Sequence, residues 1–185
     1  MAEPTIETER LILRPPQAED LDGWAELMGD EEAARFIGGI QPRMGAWRGL
    51  ATMAGSWTLH GFGMFSVIEK ASGRWIGRLG PWRPEGWPGT EIGWGLVRGV
   101  WGKGYATEGS TAAMNWAVTA LGWDDLIHCI DPANAASARV AERLGSVHRG
   151  TGRLPPPFDI DVDIWGQSAD DWRRRRGLGS GGGVR

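Results

Sequence analysis

Residues 93–109 read GWGLVRGVWGKGYATEG. The stretch passes from an apolar, strand-like run into helical spacing, and Gly102 and Gly104 flank Lys103 where the helix should begin. Two readings of that turn stand. The glycines either make a tight turn, or they let a ligand's phosphates approach the backbone. Met114, Ala117, Val118 and Leu121 follow at i, i+3, i+4 and i+7, an apolar helical stripe. A strand, a glycine turn and a helix start together present unpaired backbone N–H groups at a positive dipole end, and Lys103 or Arg98 adds charge.

Two nucleotide motifs fail on spacing. A P-loop would need glycine where Val97 stands and Ser or Thr where Gly104 stands. A dinucleotide fingerprint would need a third glycine at Thr107, or at Arg98 when counted from Gly93 and Gly95.

Working outward, TERLILRP predicts a first strand that ends at Pro15-Pro16, and Leu21, Trp24, Ala25 and Met28 predict a helix over 17–29. A weaker helix is expected over 43–59. GFGMFSVIEK and RWIGRLGPW read as a hairpin turned by ASG, and a Pro- and Gly-rich loop over 81–89 precedes the strand TEIGWGLV. After the opening stretch come the strand DLIHCI, a short helix over 134–144 capped by Asn134, and the strands SVHRGTGRL and FDIDVDIWG. The order predicts an α/β (α+β) layer architecture: a mixed, mostly antiparallel sheet of about seven strands with about four helices. Residues 1–172 form one domain, and 173–185, rich in Arg and Gly, are expected to be a flexible tail.

Composition bounds the function. With 41% apolar residues and a net charge of −3, the chain reads as an ordinary globular protein without a general pull toward nucleic acid or anionic membrane. No apolar run is long enough for a membrane span. The start, MAEPTIETER, is unlike a secretory signal, and the single Cys129 suits a reducing compartment, so a cytoplasmic location is expected. Cys129, within DLIHCI, reads as a buried small hydrophobe rather than a nucleophile.

GWGLVRGVWGKGYATEG, followed by NAASARVAERLGS at 134–146, resembles the GNAT acetyltransferases, and within them the branch of ribosomal-protein N-terminal alanine and serine acetyltransferases. Trp101-x-x-Gly104-x-Ala106 is similar to the superfamily's pyrophosphate signature, with Trp101 where Gln or Arg is usual. The resemblance implies the GNAT acyl-CoA N-acyltransferase fold, acetyl-CoA as cosubstrate and no metal. It implies that backbone groups of Leu96, Val97 and Arg98 pair with the pantetheine arm as an added strand. Gly102, Lys103, Gly104, Tyr105, Ala106 and Thr107 would surround the pyrophosphate, and Asn134 and Ser137 would face the thiol end.

Such chemistry needs a neutral amine and a protonated leaving thiolate. Glu91 is the candidate base, because alternation places it with Gly93 and Gly95 on one open face; a bulge, common in the family's strand, would shift that count. Glu108, in the first helical turn, is favourable there for structural reasons alone. The tyrosine that many GNAT enzymes use as acid is replaced by Ala141, which leaves Ser137 or water. Of His60, His128 and His148, only His60 is a candidate for test. Tryptophans near 81–89 and in the helix 43–59 suggest a partly aromatic acceptor pocket, and the carboxylates of DIDVD could recognise a cationic amine. The expected acceptor is a protein N-terminus or a small-molecule amine. The alternative is a non-catalytic acyl-CoA-binding sensor or interaction module. A homodimer through an exposed final strand is also an expectation.

Overall fold

The LILR alternation forms β2 (Leu11–Arg14), with Leu11 and Leu13 buried and Ile12 and Arg14 half-buried. Thr8 N donates to Leu11 O at 2.9 Å, a turn that divides the expected first strand into β1 (Ile6–Glu7) and β2. The computed structural model describes residues 4–177. The chain continues through α1 (Leu21–Gly29), α2 (Glu31–Ala34), α3 (Arg43–His60), β3 (Phe65–Glu69), β4 (Trp75–Trp82), β5 (Glu91–Leu96) and α4 (Tyr105–Ala120). It ends with β6 (Asp125–Ile130), α5 (Ala135–Arg143), β7 (Val147–Arg153), β8 (Asp161–Ser168) and α6 (Ala169–Arg176).

The strands form one sheet in the order β1-β2-β3-β4-β5-β6-β8-β7. β4 and β5 hold an unbroken antiparallel register from Trp82↔Glu91 to Gly77↔Leu96, so no bulge disturbs the shared face of Glu91, Gly93 and Gly95. β5 and β6 run parallel and pair at Glu91↔Ile127 alone. Beyond that point they diverge, and the sheet opens into a cleft. Helix α4 lies close on one face, where a Cβ on Gly109 would come within 2.5 Å of Leu79 Cδ2. Helix α1 covers the other face, with the Trp24 ring 5.6 Å from the Arg78 guanidinium.

Three features correct the sequence reading. β8 lies between β6 and β7, so the final strand is not an edge; the edges belong to β1 and β7. α2 is a single turn nucleated by Asp30, whose Oδ1 accepts from Glu32 N and Ala33 N, each at 3.0 Å. α6 begins at Ser168, whose Oγ accepts from Asp171 N at 3.1 Å, and is anchored by the fully buried Trp172. Arg173–Arg176, placed in a flexible tail by the sequence, therefore continue this helix, and Arg173 pairs with Asp170 at 3.0 Å. Residues 178–185 lie outside the described residues. Among the described residues, no helix is long and apolar enough to cross a membrane.

Candidate active site

The turn after β5 runs through a short 3-10 segment, Arg98–Val100, to Gly104, which caps α4 with φ +82°. Gly102 has φ +75°, and a Cβ there would meet nothing within 4 Å. The left-handed backbone requires glycine, and the space over it is open. Glu108 N donates to Gly104 O at 3.0 Å as the first bond of α4, which leaves the amides of Tyr105, Ala106 and Thr107 in its unpaired first turn. This is the cradle that a pyrophosphate requires, and the residues fit the group.

The cradle is fastened by a residue 93 positions away in sequence. Arg10 Nη1 donates to Lys103 O at 2.9 Å, and its guanidinium lies 4.4 Å from the centre of the Tyr105 ring. Glu108 accepts from Thr8 Oγ1 at 2.6 Å, from Arg10 N at 2.8 Å and from Arg10 Nε at 2.6 Å. Partial burial pushes its carboxyl upward, but these bonds outweigh burial and hold it below the ordinary glutamate value. Arg143 of α5 reaches Thr107 Oγ1 at 3.3 Å, adding a third cation beside Arg10 and Lys103. Arg98 turns the other way and pairs with Asp30 at 2.9 Å.

The end of β5 is more occupied than strand addition requires. Val97 N donates to Ile76 O at 2.9 Å, and Val97 O accepts from Val100 N at 3.2 Å. Leu96 O accepts from Trp101 Nε1 at 2.8 Å, and Arg98 O from Trp101 N at 3.1 Å. The Val97–Ile76 bonding pair makes the main-chain groups of Leu96 point away from β4, into the cleft. Of these three residues, the N–H groups of Leu96 and Arg98 remain to pair with another chain.

A cavity of about 370 Å³ fills the cleft, with Glu91, Arg78, Trp94, Asn134 and Ser137 on its walls. Glu91 is buried at the point of divergence. Its Oε1 accepts from Cys129 N at 3.1 Å, replacing a ladder bond that the departing β5 cannot supply, and its Oε2 accepts from Trp87 Nε1 at 2.5 Å. Burial pushes its carboxyl up to about 7, with those two donors and Arg78 acting in the opposite direction. His128 bridges the same gap. Its Nδ1 donates to Ile92 O at 2.7 Å, so Nε2 accepts from Ser146 Oγ at 3.0 Å, and burial lowers its pKa to about 4. A neutral, doubly engaged imidazole is a strut, not a base.

Across the cavity, Asn134 caps α5, its Oδ1 accepting from Ser137 N at 3.1 Å. Ser137 Oγ accepts from Trp94 Nε1 at 3.2 Å, so the hydroxyl keeps its own proton to give. Ala141 is fully buried. The chain's single tyrosine, Tyr105, donates to Glu69 Oε1 at 2.7 Å outside this cavity, so no tyrosine reaches the site.

A family model described as an acetyltransferase (GNAT) domain matches residues 10–147. The chain belongs to the GNAT acetyltransferase family. It is 29% identical to the uncharacterized N-acetyltransferase p20 of Bacillus licheniformis over 79% of this chain and 84% of the relative. It is also 32% identical to the uncharacterized protein YkkB of Bacillus subtilis over 51% of this chain and 56% of that protein. A solved acetyltransferase from Agrobacterium tumefaciens is similar at a TM-score of 0.78 and 29% identity, covering 90% of this chain and 95% of that one. A ribosomal-protein-S5-alanine acetyltransferase from Vibrio fischeri is alike in fold alone, at 18% identity and a TM-score of 0.72, over 92% of this chain and 99% of that one.

In this GNAT domain the tryptophans of the cavity wall come from the end of β4, the loop after it and β5, and not from helix α3. Trp82 and Trp87 line the cavity, while Trp47 is exposed and Trp57 packs on Phe65 with its Nε1 on Met64 O. The DIDVD carboxylates lie elsewhere: Asp159 and Asp161 pair with Arg153, and Asp163 with His148. His60 sits at the end of α3 beside Phe62, away from the cavity walls. Cys129 does line the cavity, but burial and the Glu91 carboxylate push its thiol far up, so it is no thiolate nucleophile. Sequence reasoning missed Arg10, Arg78 and the bond from Trp87 to Glu91. The lone charged residue in the apolar strand WIGRLGPW was the available signal for Arg78.

Proposed function

We propose that this GNAT domain transfers the acetyl group of acetyl-CoA to a primary amine, a small molecule or a protein N-terminus, by direct attack. The observation that carries the reading is Glu91: a buried carboxyl raised to about 7, on the wall of a cavity at the strand divergence, opposite a serine hydroxyl. A base poised near neutrality can take a proton from an ammonium group and still return it to solvent. Acetyl-CoA, when bound, supplies an acetyl carbon whose bond to sulfur breaks as its bond to the amine nitrogen forms. Glu91 takes the amine's proton, and Ser137 Oγ holds the proton for the departing sulfur. Amides of Gly102, Gly104, Tyr105, Ala106 and Thr107 would hold the pyrophosphate, with Lys103, Arg10 and Arg143 adding charge. Leu96 and Arg98 would offer main-chain N–H groups to the pantetheine arm, Val97 would hold the turn through its bond to Ile76, and Asn134 would set the start of α5. A likeness to the alanine and serine branch supports Ser137 in place of the usual tyrosine.

The test is thiol release from acetyl-CoA with a panel of primary amines and N-terminal peptides. Amine-dependent release that collapses in Glu91→Gln is expected. Tight acetyl-CoA binding without release on any amine would replace this reading with a non-catalytic cofactor sensor.

A further inference from the structure

Arg78 is the charged residue of β4 that the mechanism leaves unused. Its side chain rises from the sheet face that carries Glu91, Gly93 and Gly95, since it stands directly opposite Gly95. The guanidinium passes along the Trp24 ring at 5.6 Å, and its one side-chain hydrogen bond among the described residues goes from Nη1 to Met64 Sδ, a weak acceptor. Its buried Nε has no partner. No carboxylate lies within ion-pair distance among the described residues, and both oxygens of Glu91 are engaged by Trp87 and Cys129. A half-buried guanidinium that Glu91 acts on only through space, with no oxygen acceptor on any of its nitrogens among the described residues, is costly unless something else answers it. Burial lowers its pKa to about 10, still far above neutrality, so the positive charge stays.

The spacing to Glu91 is set by two glycines. A Cβ on Gly93 would lie 3.5 Å from Glu91 Oε1, and one on Gly95 would lie 3.9 Å from Arg78 Cζ. Those two positions are about 7 Å apart on a strand. The floor between carboxylate and guanidinium is therefore apolar: Met64 Cε and Ile37 Cδ1 lie over the two glycines, 2.5 Å and 3.2 Å from those Cβ positions, with Met53, Trp82 and Phe158 around them. We infer that Arg78 is an anion receptor for the acceptor, and that the acceptor is a small, carboxylate-bearing primary amine with an apolar body, its nitrogen at Glu91 and its carboxylate on Arg78. An α-amino acid with one hydrogen bond of about 2.8 Å at each end bridges such a gap. A guanidinium suits this task because its planar donors can grip a carboxylate in a fixed orientation.

The inference rests on the acetyl-transfer reading for the role of the amine, but the anion site is tested separately. L-methionine, L-leucine, L-phenylalanine and L-tryptophan are each compared with their carboxamides, by calorimetric binding and by thiol release from acetyl-CoA. The wild-type protein is expected to favour the free acids at least tenfold in Kd and in kcat/KM. Arg78→Met is expected to abolish that preference while acetyl-CoA affinity holds, and Arg78→Lys to restore part of it. Carboxamides that bind and react as well as the acids overturn the inference, and so does the absence of any binding by the acids. Acids that bind through Arg78 without any acetyl transfer uphold the anion site and overturn the acetyl-transfer reading. Turnover of amines with no preference for a carboxylate does the reverse.

Discussion

Glu91 Oε1 accepts a hydrogen bond from the backbone N–H of Cys129 at 3.1 Å, where β5 leaves β6. One carboxylate thus closes the ladder that the cleft interrupts and lines the cavity the cleft creates. Holding it there without water is what lifts its pKa, so structure and chemistry meet in one side chain.

Glu91 acts as a base only when ionised, so kcat/KM should rise with pH through an apparent pKa near 7 and level off above it. Glu91→Gln should lower kcat about 100-fold or more, leave acetyl-CoA affinity within about threefold, and lose that limb. The same shift acts on stability with a defined sign. The folded protein holds this proton up to about pH 7 and the unfolded chain releases it near the ordinary glutamate value, so wild-type stability falls across that window as pH rises. Denaturant melts at several pH values should show Glu91→Gln without this decline.

Glu108 carries the opposite sign. Its carboxyl is held below the ordinary value, so its contribution is present above that value and is lost as pH falls through the folded pKa. Removing the lock should also loosen the turn that Arg10 holds through Lys103 O. Arg10→Ala and Glu108→Gln should each weaken acetyl-CoA binding several-fold. Arg10 is substantially exposed, so a double-mutant cycle by chemical denaturation should give a coupling of about 1 kcal/mol or less.

Ser137→Ala removes the proton offered to the leaving sulfur and the acceptor for Trp94 Nε1. Steady-state kinetics should show kcat reduced about tenfold or more with little change in KM for acetyl-CoA. An unchanged kcat would assign that proton to water.

Much of the scaffold was legible because its signals are local. Gly102 and Gly104 marked the turn, the stripe from Met114 to Leu121 marked α4, and the Asn134 cap marked α5. The alternation of TEIGWGLV placed Glu91 on one face with Gly93 and Gly95, a count that holds because β5 runs without a bulge. The open space expected over the glycines is instead taken by Met64 Cε and Ile37 Cδ1. What escaped was short or long-range. β1 and α2 are too brief for a periodic pattern, and the arginines of α6 read as a solvated tail although Ser168 and Asp171 form a helix start. Arg10 and Glu108 meet across 98 residues, Trp87 reaches Glu91 from a loop, and nothing in either local sequence announces those bonds. The DIDVD carboxylates misled because an alternating acidic strand looks the same whether it faces a substrate or, as with Asp161 and Arg153, a neighbouring cation.

Acetyl-CoA binding is expected to depend most directly on the Gly104 turn as its cradle. Calorimetric titration of acetyl-CoA into the wild-type protein and Gly104→Val is the deciding measurement. Valine at a φ of +82° strains the backbone by about 1–3 kcal/mol and places a branched side chain where the phosphates would approach, so the variant should melt earlier yet fold. Micromolar binding by the wild type, weakened at least tenfold in a folded Gly104→Val, is the predicted result. Equal binding by both proteins, or none by a folded wild type, would contradict it and return the glycines to the role of a plain turn.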